Sequence, residues 1–372
     1  MLLSSLLETD CIKNGCFKLK SGEISRYYFD MKRLISYPHL LKKIGDEMYN
    51  LLDKKCDLLC GVPIGGLPIC SYISIHYNIP MIIVRNEKKN YGSENQIEGR
   101  YTTKNKCVII EDVITTGGSV QNIINILKDK VEIIGIISIL DRQQGFKPTV
   151  PYKSIFYKTD IVRQRLKDLV IKKKSRLCFS ADLDNSEKLV KMLDLIGSDI
   201  VVCKIHYDFY NDLDESLKTS LIELSIKHDF LIMEDRKFVD ISHTVILQYK
   251  KFANWVDLIT VMGNVSDEVV KSLSGVLIVA NMSNNSFDST ENAKNLAIAN
   301  SDRVVGFITQ KRLEIENMFC MTPGINLEKK TDGDQNYRPV SEVDTDIIIV
   351  GRGIYNNPNY IETAKMYSRI IN

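Results

Sequence analysis

No Cys-x-x-Cys pair occurs among the nine cysteines, and no His-x-x-x-His pair among the five histidines. An odd cysteine count without a framework argues for reduced thiols in a cytosol-like compartment. The histidine spacing offers no zinc pattern. No apolar run approaches the length of a membrane span. The first eight residues lack a basic stretch and meet Glu8 early, so no secretory signal is expected. A formal net charge of +2 leaves no global field to recruit nucleic acid or a membrane. Basic runs are short, as at 172–174, and read as solvated helix ends.

What remains is ordinary soluble protein, 44% hydrophobic and 26% charged. At 372 residues it has material for two cores, and two domains are expected. In the first half, β-rich runs at 57–62, 81–84, 107–110 and 133–140 alternate with helical patterns such as 119–127. Continuous apolar strands between helices imply a parallel sheet covered on both faces. In the second half, candidate strands fall at 177–180, 200–204, 231–235, 258–261, 276–280, 304–308, 319–322 and 347–350. Eight βα units in series suggest a (β/α)8 barrel, although the pattern alone leaves an open doubly wound sheet as an alternative. Polar residues gather just after these strands, where a barrel collects its catalytic groups: Asp182, Lys204, Asp235, Lys237, Ser283, Pro323 and Arg352.

The border lies in the turn-rich stretch from Gly145 onward, before Arg176. A helix over 159–174 either ends the first domain or opens the second. The expected domains are 1–157 and 158–372.

The segment 233–244 stands out because an apolar run delivers Asp235, Lys237 and Asp240 within a few residues. On a regular strand, Asp235 and Lys237 share a face. A charge cluster at a strand tip is costly and points to chemistry; otherwise it is a solvated loop.

In the first half, Val108-Ile109-Ile110 leads into Glu111-Asp112 and then Thr115-Thr116-Gly117-Gly118-Ser119. Such a loop can ring a phosphate with N–H groups and hydroxyls at a helix start, and the acidic pair suits ribose hydroxyls. This resembles the 5-phosphoribosyl 1-pyrophosphate (PRPP) motif of type I phosphoribosyltransferases. Leu19-Lys20-Ser21-Gly22, Tyr27-Tyr28-Phe29-Asp30, the stretch Arg85 to Gly92, Glu98-Gly99 and Asp141-Arg142-Gln143 are similar to orotate phosphoribosyltransferases. The resemblance implies that Lys20, Arg85 and Lys89 contact PRPP, with Lys89 acting in catalysis from a mobile loop. It implies that Arg142 pairs with the orotate carboxylate, that Tyr28 and Phe29 wall the base, and that Mg²⁺ is held mainly by PRPP rather than by side chains. Asn86 and Ile64-Gly65 depart from the family's pattern.

In the second half, Ser180-Ala181-Asp182, Lys204-Ile205-His206, Glu234 to Ile241, Met282-Ser283, Thr322-Pro323-Gly324 and Gly351-Arg352-Gly353 follow the order found in orotidine 5′-monophosphate (OMP) decarboxylases. By resemblance, Lys237 stabilises the carbanion left at C6 and protonates it, with Lys204, Asp235 and Asp240 completing an alternating array. Asp240, Ile241 and Thr244 belong to the same site, and Asp240 and Thr244 reach it across a homodimer interface. Ser283, with Met282, reads the pyrimidine edge; Ser180, Asp182 and Lys204 serve the ribose. Pro323, Gln335, Tyr337, Gly351 and Arg352 serve the phosphate end, and 324–338 suits a closing lid.

Transferase followed by decarboxylase is the order of the bifunctional uridine 5′-monophosphate (UMP) synthases, with a short junction for that family. The implied protein is a cytoplasmic homodimer. It converts orotate and PRPP to OMP, then OMP to UMP and CO2, with Mg²⁺ for the first step and no cofactor for the second. One alternative keeps the decarboxylase and makes the first domain a PRPP-binding module without turnover. Another, a nucleic-acid regulator on a transferase fold, fits poorly with the near-neutral charge.

Overall fold

The computed structural model describes residues 2–19, 22–85, 96–210, 215–283, 287–332 and 335–370. Lys20, Asn86 and Lys89 lie outside these residues, as does the side chain of Gln335. The chain packs as two compact units, Met1–Lys13 with Phe29–Lys158, and Asn14–Tyr28 with Thr159–Asn372.

The first unit is built on a six-stranded sheet. Its order is Ile97–Glu98, Met81–Val84, Leu58–Gly61, Lys106–Ile114, Glu132–Asp141 and Tyr152–Tyr157. Only the pairing of Met81–Val84 with Ile97–Glu98 is antiparallel. The central strands are runs of Val, Ile, Leu and Cys buried on both faces, as a helix-covered parallel sheet requires. The strand Tyr152–Tyr157 was not foreseen. It is an edge strand in which only Ser154 and Phe156 are buried, so its sequence is too polar to stand out beside the Pro-rich turn before it.

The second unit is a closed barrel of eight parallel strands in chain order: Leu177–Ser180, Val202–Ile205, Leu231–Phe238, Leu258–Met262, Val276–Val279, Val304–Ile308, Phe319–Thr322 and Ile347–Val350. The last closes on the first through Ile348↔Leu177 and Ile349↔Cys178. The open-sheet alternative is therefore excluded. Inward residues Cys178, Val202, Leu231, Met233, Leu258 and Leu277 form one cluster with Val162, Leu166 and Leu169 of the helix Lys158–Lys173. That helix opens the second unit.

A segment from the first half also belongs to the barrel unit. Arg26 is fully buried and its guanidinium bonds Asp257 at 3.1 Å, Ser225 Oγ at 2.5 Å and the Phe230 carbonyl at 2.8 Å. The Tyr27 hydroxyl donates to Asp257 at 2.5 Å. A buried charge pair is costly to break from one side, by about 3–5 kcal/mol.

Candidate functional site

The strand Leu231–Phe238 does not end as a regular ribbon. Phe238 lies four positions beyond Glu234, yet its partner Val261 lies only two beyond Ile259, so the strand bulges between them. Lys237 takes φ +53°, a left-handed conformation rare for a long side chain. Asp235 and Lys237 do face the same site, but the bulge brings them there, not the even alternation the sequence suggested.

The charges then meet. Lys204 Nζ donates to Asp235 Oδ2 at 2.9 Å and to Asp182 Oδ1 at 3.2 Å. Lys237 Nζ lies 2.8 Å from the same Asp235 oxygen. His206 Nε2 lies 3.1 Å from Lys204 Nζ, and because an ammonium only donates, that nitrogen is the acceptor. All three hydrogens of Lys204 thus have acceptors. Burial alone would raise the Asp235 pKa, but Lys204 and Lys237 outweigh it and hold the carboxyl below its usual range. For Lys204 burial opposes the charge, and Asp235 and Asp182 restore it and raise the pKa. Burial and then Lys204 push His206 down to about 4, so its imidazole is neutral near pH 7. The result is two lysine ammonium groups gathered on one carboxylate before any ligand enters. Such an array can stabilise negative charge on a bound carbon and hand it a proton.

Ser180 Oγ donates to Asp182 at 3.0 Å, placing it in the same group. Gly351 sits beside the first strand, where an added Cβ would lie 3.1 Å from the Ser180 carbonyl. Arg352 follows it and is exposed. Met282 and Ser283 follow the strand Val276–Val279, and Pro323 follows Phe319–Thr322, so all stand at C-terminal strand ends. Tyr337 is half-buried in the small sheet formed by Ile325–Asn326, Lys330–Asp332 and Gln335–Pro339. That sheet is tied to the barrel rim by Arg338, which donates to Gln310 Oε1 at 2.9 Å, while Gln310 donates to the Pro323 carbonyl at 3.1 Å.

Asp240 is not brought to the cluster within one chain. It is exposed and accepts the Ile241 N–H at 2.7 Å. Thr244 is half-buried, and Ile241 is 70% exposed.

His206 was expected only within a motif, without a role, and three further residues of this site were absent from the expected set. Thr260 is buried between Asp235 and Lys237. Gln310 and Arg338 fasten the small sheet. For Thr260 a signal existed: it is the sole hydroxyl in an otherwise apolar strand, Leu258–Met262. Gln310 and Arg338 sit in polar stretches where nothing sets them apart.

The first unit presents a looser site. The strand Lys106–Ile114 continues through the acidic pair, so Glu111 and Asp112 are buried in the sheet rather than displayed on a loop. Glu111 accepts the Asp112 N–H at 2.9 Å, and burial, then Asp112, pushes its pKa up to about 9. Gly65 makes room for Asp112, since a Cβ there would fall 2.0 Å from its carboxylate. Thr115 and Thr116 lead to Gly117 at φ +82°, where a Cβ would strike the Phe146 ring. The helix Gly118–Leu127 then begins, with Gly118 and Ser119 exposed. The Arg142 N–H donates to the Ile114 carbonyl at 2.9 Å, which sets Arg142 beside this loop, and its guanidinium stacks 5.4 Å from the Phe29 ring. Arg85 pairs with Glu98 at 2.9 Å, both partly exposed. Tyr28 belongs to the other unit, 44% exposed and 5.6 Å from the Phe17 ring. Among the described residues no group of three or more His, Cys, Asp or Glu could hold a metal ion, and no helix is long and apolar enough to cross a membrane.

Comparison with known proteins covers both units. The model of the orotidine 5′-phosphate decarboxylase / HUMPS family matches residues 175–367, and that of the phosphoribosyl transferase domain matches residues 30–162. Uridine 5′-monophosphate synthase of Bos taurus is 31% identical, over 99% of this chain and 95% of that protein. The synthase of Caenorhabditis elegans is 29% identical over 99% of this chain and 94% of its own. A solved structure of Leishmania donovani UMP synthase aligns with 45% of this chain and 38% of that one, at 30% identity and a TM-score of 0.41.

Proposed function

This chain belongs to the uridine 5′-monophosphate synthase family, and from that membership we propose that it makes UMP in two consecutive steps. Orotate and PRPP give OMP and pyrophosphate; OMP then loses CO2. The observation that carries the reading is the Lys204–Asp235–Lys237 array at the barrel's C-terminal rim. The PRPP-binding module without turnover has less in its favour, because both full-length relatives named above are synthases. We assign residues 1–157 to the transferase step and 158–372 to the decarboxylase step.

In decarboxylation, loss of CO2 leaves an electron pair on C6 of the pyrimidine with no sink in the ring. The Lys237 ammonium faces that charge and donates a proton to C6. Asp235 pairs with Lys237 and holds Lys204 charged, and Lys204 with Asp182 and Ser180 meets the ribose. Met282 and Ser283 read the pyrimidine edge. Pro323, Gln335, Tyr337, Gly351 and Arg352 grip the phosphate end, and the energy of that remote grip serves the chemical step. Asp240, Ile241 and Thr244 complete the neighbouring site of a homodimer. Supporting this, Val239, Ile241 and Leu247 leave apolar surface exposed around Asp240, as a face awaiting a second copy would.

In the transferase step, the Thr115–Ser119 loop receives the 5-phosphate at a helix start. Glu111 and Asp112 serve the ribose, Arg142 takes the orotate carboxylate, and Tyr28 and Phe29 flank the base. Lys20, Arg85 and Lys89 meet the pyrophosphate. Glu111, buried with its pKa raised, makes a poor direct metal ligand, and Mg²⁺ would arrive on PRPP. When bound, Mg²⁺ would supply positive charge to offset that building on the departing pyrophosphate. The enzyme acts in the cytoplasm on small molecules, without nucleic acid or membrane partners.

Purified protein given orotate, PRPP and Mg²⁺ should release UMP, CO2 and pyrophosphate in equal amounts. If neither OMP nor UMP formed while added OMP was still decarboxylated, the two-step reading would fail and the binding-module alternative would stand.

A further inference from the structure

Thr260 is the one residue that faces the bulge from the neighbouring strand. It lies between Ile259, paired with Glu234, and Val261, paired with Phe238. Its hydroxyl donates to Asp235 Oδ1 at 2.9 Å and accepts the Lys237 N–H, also at 2.9 Å. The side chain is fully buried.

Both bonds have consequences for the charges. Occupying Oδ1 leaves Oδ2 as the oxygen that meets Lys204 and Lys237, at 2.9 and 2.8 Å. A carboxylate free to rotate about its last torsion would divide its oxygens among the donors and hold neither lysine in one place. The bulge also takes the Lys237 N–H out of the strand ladder, and a buried N–H without an acceptor is costly. Thr260 supplies that acceptor and so holds a residue whose φ of +53° has little intrinsic preference. One hydroxyl thus sets both the carboxylate rotamer and the backbone that carries the ammonium.

We propose that Thr260 is a positioning residue for decarboxylation, acting through Asp235 and the Lys237 backbone without touching substrate. This rests on the reading of Lys237 as proton donor. The test uses full-length Thr260→Val, which has nearly the same shape but no hydroxyl, and Thr260→Ser, which restores it. Thr260→Val should lower kcat for added OMP about tenfold or more, with KM within about twofold, and Thr260→Ser should recover most of the loss. Amide hydrogen exchange at Lys237 should quicken in Thr260→Val and not in Thr260→Ser. Turnover of Thr260→Val within twofold of the unaltered chain would overturn the proposal. So would a loss that serine does not restore, or unchanged exchange at Lys237. If Thr260→Val does not fold, Thr260→Ser with normal turnover and normal protection at Lys237 supports the proposal, and either one lost overturns it. Decarboxylation persisting in Lys237→Ala would instead strike the proton-donor reading, a result independent of the exchange measurement.

Discussion

The two sites of this chain handle charge in opposite ways. At the barrel rim, Lys204, Asp235, Lys237, Asp182 and His206 are bonded to one another without ligand, and Lys204 has an acceptor for every hydrogen. In the first unit the described cations of the site are not gathered on one carboxylate. Arg85 is occupied by Glu98, Arg142 by an aromatic ring, and the acids are buried in the sheet. The difference follows the chemistry. Decarboxylation develops charge on a carbon that brings no counterion, so the protein must hold its own electrostatic field ready. In phosphoribosyl transfer the substrate carries its own phosphates, so part of the field arrives with the ligand.

The contrast breaks first at Lys237. Lys237→Ala should reduce decarboxylation by about four orders of magnitude or more while orotate-dependent PRPP consumption continues. The reciprocal change, Arg142→Ala, should lower kcat/KM for orotate by about 100-fold through loss of a charge-assisted pair and leave decarboxylation of added OMP unaltered. Steady-state assays of each half-reaction decide both. Equal damage to both activities by either variant would mean the sites are not separable.

A milder effect tests whether the prearranged site needs two chains. Lys237→Ala and Asp240→Ala proteins, each inactive, should regain about a quarter of normal decarboxylation when subunits are mixed and exchanged. Half of the dimers are then hybrids, and each hybrid holds one intact site. No recovery after demonstrated exchange would place Asp240 outside a shared site.

The smallest expected effect lies on the outer face of the strand Leu231–Phe238. Glu234 is buried and accepts the Tyr207 N–H at 2.9 Å, and burial pushes its pKa from 4.5 up to about 8. A raised folded-state pKa means the folded protein binds a proton that the unfolded chain has released. That stability is fully present below about 4.5 and is lost as pH rises through about 8. Glu234→Gln cannot titrate. Its unfolding midpoint should gain on the unaltered protein by a few degrees across that window. A constant difference across the window would remove Glu234 as the titrating group.

Much of the barrel was legible because its signal is local. Each strand begins as a short apolar run, and four of the eight, including Val304–Ile308 and Ile347–Val350, have the bounds the sequence suggests. The hairpin strands Ile12–Lys18 and Ile24–Phe29 were not legible. Their residues alternate weakly, and Arg26 gives no hint in sequence of a burial that depends on Asp257, more than two hundred positions away. Asp240 stood in the right motif, but one chain leaves it at the surface.

The sequence by itself determined the order of the two folds, the loop closed by Gly117 before its helix, and which side chains carry charge at the strand ends. Those properties depend on residue type and short spacing, which chain order preserves. Only the tertiary structure decided that Asp235 and Lys237 meet through a bulge, that Thr260 holds both, and that residues 14–28 pack with the barrel. Each depends on which strand lies beside which and in what register, and that is set by closing the barrel, not by neighbours in the chain.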